Sequence, residues 1–308
     1  RRLVFDELCA NFFTLSENRK RIKKEKNPKQ FIKKNSNYIE KSLPFILTKS
    51  QQIVLAEING DLLSAKRMFR IIQGDVGSGK TIVSFLSISN IIESGFQCGL
   101  MAPTEILAKQ HYEFAKKIFS KINFKIDFLT GKTEIKKRKE IIKNLEEGKI
   151  DLLIGTHSLF QKKINFKKLG LIVIDEQHKF GVKQRSELAK KGGNNCDVLL
   201  MSATPIPRTM MMTIYGDMDI SLIKSKPKNR LPIKTYSKNE TKISDVINFI
   251  KSEITKKNQV FWVCPLIKES KKIDHQSATE KYKYLIKIFK DRVDIVHGAM
   301  SKEEKDKV

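Results

Sequence analysis

Cysteine is scarce in this 308-residue chain, and its four copies, Cys9, Cys98, Cys196 and Cys264, stand far apart. No C-x-x-C pair or Cys/His cluster occurs, which excludes the common zinc spacings and a disulfide framework. Cys98 and Cys264 lie in apolar runs and are expected as buried free thiols of a reducing cytoplasm. Long apolar runs are missing as well. Nothing approaches the roughly 18 uninterrupted residues of a membrane span, so no membrane association is expected. The opening "RRLVFDELCANFF" has neither the apolar core of a signal peptide nor an initiator Met, and the chain is expected to be part of something longer. Acid is the last shortage: 34 Asp and Glu face 60 Lys and Arg, a net charge of +26. That excess suits a polyanionic partner. A general bias toward Lys, Ile and Asn would also produce it, leaving solvated lysine faces.

What is present is organised. By size the chain should hold about two domains. Residues 17–34, "ENRKRIKKEKNPKQFIKK", follow Leu3, Leu8, Phe12 and Leu15, a pattern read as an N-terminal helical segment that becomes strongly basic. It is either a linker touching phosphate backbone or a solvated helix. From about Leu43, short apolar runs alternate with amphipathic stretches: 69–73, 98–102, 125–130, 151–156, 169–175 and 197–202, with helices over 105–119 and 133–147. Such alternation predicts an α/β fold with a parallel sheet covered on both faces and ligands at the carboxyl ends of its strands. Residues 225–234, "SKPKNRLPIK", read as an interdomain linker. Beyond it the alternation resumes, with helices at 240–256 and 279–290 and strands at 259–264 and 293–298.

"QGDVGSGKT" (73–81) has the spacing Gly74-x-x-x-x-Gly79-Lys80-Thr81. An apolar strand runs in and an apolar helix runs out, as a phosphate-binding P-loop requires. Gly74, Gly77 and Gly79 let the backbone curl until successive N–H groups face one anion. The backbone of Asp75, Val76 and Ser78 completes that cradle. Lys80 brings a compact positive charge, Thr81 a hydroxyl for Mg²⁺, and the following helix its positive end.

"LIVIDEQH" (171–178) is an apolar strand ending in acids. Asp175 can hold Mg²⁺ through its water shell, and Glu176 can orient or deprotonate a water attacking the γ-phosphate. That pairing favours a hydrolase over a kinase. In "SATPIPRT" (202–209), Ser202 and Thr204 offer hydroxyls to the Asp/Glu/His cluster. "MAPTEILAKQH" (101–111) and "GTHSLF" (155–160) begin their loops with small donors, Pro103–Thr104 and Gly155–Thr156–His157, suited to a phosphodiester backbone. Read alone, Thr104 is a helix cap.

The order of these motifs resembles the motor core of superfamily-two helicases and translocases. The longer strings "QGDVGSGKT", "MAPTEILAKQH", "IDEQHKFGVKQR", "SATPIPRT", "WVCPLI" and "HGAM" are similar to the RecG family of bacterial ATP-dependent DNA helicases, along the whole chain. That resemblance implies two RecA-like domains clamping ATP and Mg²⁺, and ATP hydrolysis driving movement on branched or duplex DNA. It implies a monomer acting in the cytoplasm and names no protein partner. Residues 1–42 would be the basic helical linker from an absent wedge domain, 43–224 the first RecA-like domain, and 225–308 the linker and first part of an incomplete second one. It assigns catalysis to Lys80, Asp175 and Glu176, adenine recognition to Gln51, coupling to Gln177, His178, Ser202 and Thr204, and DNA contact to the two loops above. Read alone, Gln51 is an exposed polar helix residue.

The match has departures. The second motor half lacks the arginine-bearing motif that stabilises charge on the transferred phosphoryl, and Asn229 stands where the family usually has Gly. The chain alone is therefore expected to hydrolyse ATP poorly. The nearest alternative is the translocase of the transcription-repair coupling factor, from which Ser78 and Gln177 differ. A further alternative is a nucleotide-dependent DNA-binding module without turnover.

Overall fold

Chain contacts divide the molecule into two units, residues 1–231 and 232–308. The computed structural model describes residues 5–7, 9–10, 13–14, 16–17, 20, 23, 25–161, 164–176, 193, 195–204, 218–225, 233–264 and 278–308. In the first unit the chain runs α1 (Lys34–Ser42), α2 (Lys49–Leu63), β1 (Phe69–Gly74), α3 (Lys80–Glu93), β2 (Gln97–Met101), α4 (Glu105–Ile118), β3 (Ile126–Leu129), α5 (Ile135–Glu147), β4 (Leu152–Gly155), β5 (Leu169–Ile174), β6 (Asp197–Ser202) and β7 (Asp219–Ile223). The strands form one seven-stranded sheet in the order β3-β4-β2-β5-β6-β1-β7. Every pairing in it is parallel.

The near-continuous apolar strands follow from burial on both faces. Along β5, Leu171 and Val173 point into one core, and Ile172 and Ile174 into the other. The first core takes α1, α2, α3 and α4, where Phe85 meets Phe114 and Phe119 edge to face. The second receives Ile141 and Leu145 of α5. No helix among the described residues is long and apolar enough to cross a membrane.

Three expectations need correction. The basic N-terminal segment is not helical through its length: residues 26–33 carry no regular secondary structure, and Glu25 bridges Lys66. Pro28 turns Asn27 away from helical backbone. Two lysines of the segment are also drawn inward: Lys26 is 6% exposed and Lys29 1%. Neither of these charges is solvated, and neither is available to a phosphate. Second, β7 forms over a stretch not singled out as a strand. It pairs with β1, Ile71 opposite Ile220, and only Met218, Ser221 and Ile223 around it are buried, so its apolar signal is weak.

Third, in the second unit α6 (Ile243–Thr255), α7 (Ala278–Phe289) and α8 (Lys302–Lys307) form, whereas 259–264 and 293–298 enter no ladder among the described residues. A strand is held by its neighbour and by a covered face, yet Phe261 and Val263 are each 87% exposed. Cys264 is likewise only partly buried, unlike Cys98.

Candidate nucleotide and nucleic-acid site

Because all seven strands are parallel, their carboxyl ends share one edge of the sheet. The registers give the order of the loops along it. Gln73 of β1 lies opposite Ser202 of β6, Ile174 of β5 opposite Leu200 of β6, and Met101 of β2 opposite both Ile174 and Gly155. The loops after β5, β6 and β1 are therefore neighbours, and they carry Asp175–Glu176, Ser202–Thr204 and the P-loop. The loops after β4 and β2 are neighbours too, and they carry Thr156–His157 and Pro103–Thr104. Crossovers that skip strands place residues 75, 175 and 204 on adjacent loops.

The P-loop has the backbone its glycines permit, with Gly77 at φ 73° and Gly79 at φ 91°. A side chain at Gly79 would also collide with the Gln51 amide. The Ser78 N–H donates to the Asp75 carbonyl at 3.0 Å. Lys80 opens α3, 8% exposed, and its ammonium donates to the carbonyls of Gly74 (2.6 Å) and Asp75 (3.0 Å). Burial lowers the Lys80 pKa, while Glu176, Asp175 and Asp75 oppose that shift. The carboxylates after β5 are thus close enough to act on the lysine of the loop after β1.

Gln51 is not the exposed residue it looks like in isolation; it is 2% exposed. Its amide oxygen accepts from the Thr48 N–H (2.7 Å), closing a capping box at the start of α2, and its amide nitrogen donates to the Ser78 carbonyl (2.7 Å). The α2 terminus thereby braces the P-loop.

Asp175 is held from two directions. Its Oδ2 lies 2.8 Å from His111 Nε2, and its Oδ1 accepts from the Glu176 N–H at 3.0 Å. Glu176 has φ 50°, a left-handed conformation that costs a non-glycine residue of order 1 kcal/mol or more and clusters at functional sites. The Ser202 and Thr204 hydroxyls bond each other at 2.9 Å, and the Gln73 amide donates to the Thr204 carbonyl at 2.8 Å. That bond joins the end of β1 to the loop after β6. Gln177 and His178 lie outside the described residues.

Thr104 caps α4, accepting the Leu107 N–H at 3.3 Å, and remains exposed, as does His157. Thr156 precedes a one-turn 3₁₀ helix, residues 157–160. Gly155 has a structural reason of its own: an added Cβ would overlap the Leu129 carbonyl oxygen on β3. Gly155→Ala is therefore expected to destabilise the first unit by about 1–3 kcal/mol through overpacking against backbone, read as a lowered urea midpoint.

Sequence reasoning passed over two residues that the fold uses, His111 and Gln73. A signal existed for His111, which follows Thr104 by seven residues, two helical turns, and so returns to the same side of α4. Gln73 had none, because its partner lies across a strand pairing.

A parallel sheet with a P-loop after β1, an acidic pair after β5 and a Ser-Ala-Thr turn after β6 defines the RecA-like fold of the helicase class. Residues 48–213 match the DEAD/DEAH box helicase family, and the chain belongs to that family. Among curated proteins it is similar to the ATP-dependent DNA helicase RecG of Thermotoga maritima, 43% identical over 100% of this chain and 40% of that protein. To the Bacillus subtilis RecG it is 45% identical over 87% of this chain and 39% of the relative. The solved structure of RecG bound to a three-way DNA junction matches with a TM-score of 0.78 and 38% identity, over 96% of this chain and 38% of that one. A DNA-bound DUF1998 helicase, MrfA, shares the fold alone, at a TM-score of 0.56 and 17% identity. The chain spans about two fifths of the length of the curated relatives it matches.

Proposed function

We propose that this chain is the nucleotide-binding part of an ATP-dependent DNA helicase of the RecG kind, which couples ATP hydrolysis to movement on branched or duplex DNA. The observation that carries this reading is that one sheet edge holds both required sets of groups on adjacent loops. The loops after β5, β6 and β1 hold Asp175, Glu176, Thr204 and Lys80, and those after β4 and β2 expose His157 and Thr104.

The donor set fits a nucleoside triphosphate. Lys80, just after a loop crowded at Gly74 and Gly79, would pair with the β- and γ-phosphates beside the backbone of Gly74, Asp75, Val76, Gly77, Ser78 and Gly79. Thr81 and Asp175 would hold Mg²⁺. Among the described residues no group of three or more His, Cys, Asp and Glu could hold a metal. One hydroxyl and one carboxylate suit Mg²⁺, which takes most of its remaining ligands from phosphate and water. The ion would neutralise charge on the transferred phosphoryl. Glu176 would position the attacking water, Gln51 would read adenine, and Ser202 and Thr204, with Gln177 and His178, would pass the nucleotide state onward. Pro103, Thr104, Gly155, Thr156 and His157 would meet the DNA backbone. The protein would act as a cytoplasmic monomer.

The test is ATP hydrolysis by the full-length protein with linear duplex, single-stranded and four-way-junction DNA side by side. Stimulation strongest with the branched substrate is expected; equal rates with and without every DNA would sink the proposal. Lys80→Ala is expected to weaken ATP binding by roughly 10- to 150-fold, the worth of charge-assisted hydrogen bonds, while the circular dichroism of the protein stays native. Titration with a fluorescent ATP analogue checks this, and unchanged affinity would overturn the phosphate role of Lys80.

A further inference from the structure

We infer that His111 is a positioning residue that ties the exposed loop after β2 to the acidic pair after β5, so that DNA held at that loop alters the Asp175 carboxylate. This rests on the motor reading above and adds a residue to which the sequence motifs assigned no role.

The link is short and stiff. Thr104 caps α4, and His111 lies seven residues further along it, about 10 Å at 1.5 Å per residue. Between and beyond them Ala108 and Ala115 are each 0% exposed, so the stripe Ala108, His111, Ala115 seats the helix on the sheet, with His111 its one polar member. A displacement of the Thr104 end therefore moves the imidazole with the helix. His111 Nε2 then meets Asp175 Oδ2 at 2.8 Å, with the two side chains 10% and 14% exposed. For a carboxylate acceptor the proton sits on Nε2, and the histidine donates.

Asp175 has a second connection, to the strand on the other side of that loop, since its backbone N–H donates to the Met101 carbonyl at 2.8 Å. Met101 ends β2, immediately before Ala102, Pro103 and Thr104. The main chain of Asp175 is thus tied to β2 and its carboxylate to α4, the two elements that flank the exposed loop. Its other oxygen is already engaged by the Glu176 N–H, so with the His111 bond both oxygens are held and the orientation of the carboxylate is fixed. A histidine that merely filled a buried gap would need no acidic partner on the next strand.

The experiment compares native protein, His111→Ala and His111→Gln in the full-length chain. The glutamine Nε2 can reach where the imidazole Nε2 stands. Two quantities are read: the ratio of ATP turnover with branched DNA to turnover without it, and the change in affinity for a fluorescent ATP analogue on adding DNA. Site-to-site coupling typically amounts to 5- to 150-fold. His111→Ala is expected to lose at least fivefold of the stimulation ratio and most of the DNA-induced affinity change, and His111→Gln to restore the larger part of both. If the alanine variant does not fold, His111→Leu takes its place, filling the volume without a donor. A stimulation ratio that stays native in the folded Ala or Leu variant overturns the inference. So does a glutamine variant no better than alanine. If the native protein shows no DNA stimulation, the motor reading itself fails, and the inference falls with it.

Discussion

Glu176→Gln is expected to leave ATP affinity within a few-fold of native and to cut turnover by about 10²–10⁴-fold, the usual worth of a positioned general base. The substitution keeps size and hydrogen-bonding reach and removes only the charge and the basicity. The backbone argues that this residue is placed for a purpose. At φ 50° it sits where a non-glycine residue is strained, and its N–H is fastened to the Asp175 carboxylate. Its charge also opposes the lowering of the buried Lys80 pKa. Single-turnover phosphate release by full-length protein, alongside nucleotide titration, separates the two effects. Turnover within threefold of native would reduce Glu176 to an acidic turn residue. Loss of ATP binding in parallel would mean that it acts on the ground state.

The second large effect concerns stability, at the opposite edge of the sheet. Asp197, the first residue of β6, is fully buried with Lys26: both side chains are 0% exposed, and the lysine lies 2.7 Å from each carboxylate oxygen. The same carboxylate accepts the Met68 N–H at 2.7 Å, while Lys26 also donates to the Asp61 carbonyl at 3.1 Å. Burial pushes the Asp197 pKa up, and Lys26 pulls it back. Nearby, Lys29 donates to the Asn195 carbonyl and lies 4.0 Å over the Phe96 ring, and Lys23 pairs with Asp219 at the head of β7 at 2.6 Å. The basic segment thus fastens the amino ends of β6, β1 and β7.

Removing one partner of such a pair leaves a charge without compensation, at a cost of about 3–5 kcal/mol. Asp197→Ala should lose that much, together with the partner of the Met68 N–H. The double variant Lys26→Met with Asp197→Leu should recover much of it, because a buried pair exchanged for apolar groups is often near neutral. Urea unfolding followed by circular dichroism measures both. A single variant within about 1 kcal/mol of native would show that the pair is hydrated and weak.

The sheet-and-helix alternation from 69 to 202 was legible in the sequence because it depends on local period: paired burial makes runs such as "LIVI" apolar throughout. The P-loop was legible because its glycines answer to local backbone geometry and its lysine to local charge. The acidic pair could be placed at a strand end for the same reason. Other features depend on partners far apart in the chain, and local pattern says nothing about them. Lys26 and Asp197 are 171 residues apart, so two lysines of a run that resembles a solvated or phosphate-binding face turned out to be internal. Gln51 became a brace only once α2 came to rest against the P-loop, and His111 found Asp175 only because β2 and β5 are neighbours. The strands expected at 259–264 and 293–298 show the reverse. Their β-favouring composition is plain, but a strand needs a neighbour to bond and a layer to cover it, and among the described residues neither stretch pairs with one. The sequence by itself determined the kinds of element and the phosphate chemistry at one turn. Strand order, set by long-range pairing and burial, decided which loops share an edge, where the basic charge is spent and which side chains reach the acidic pair.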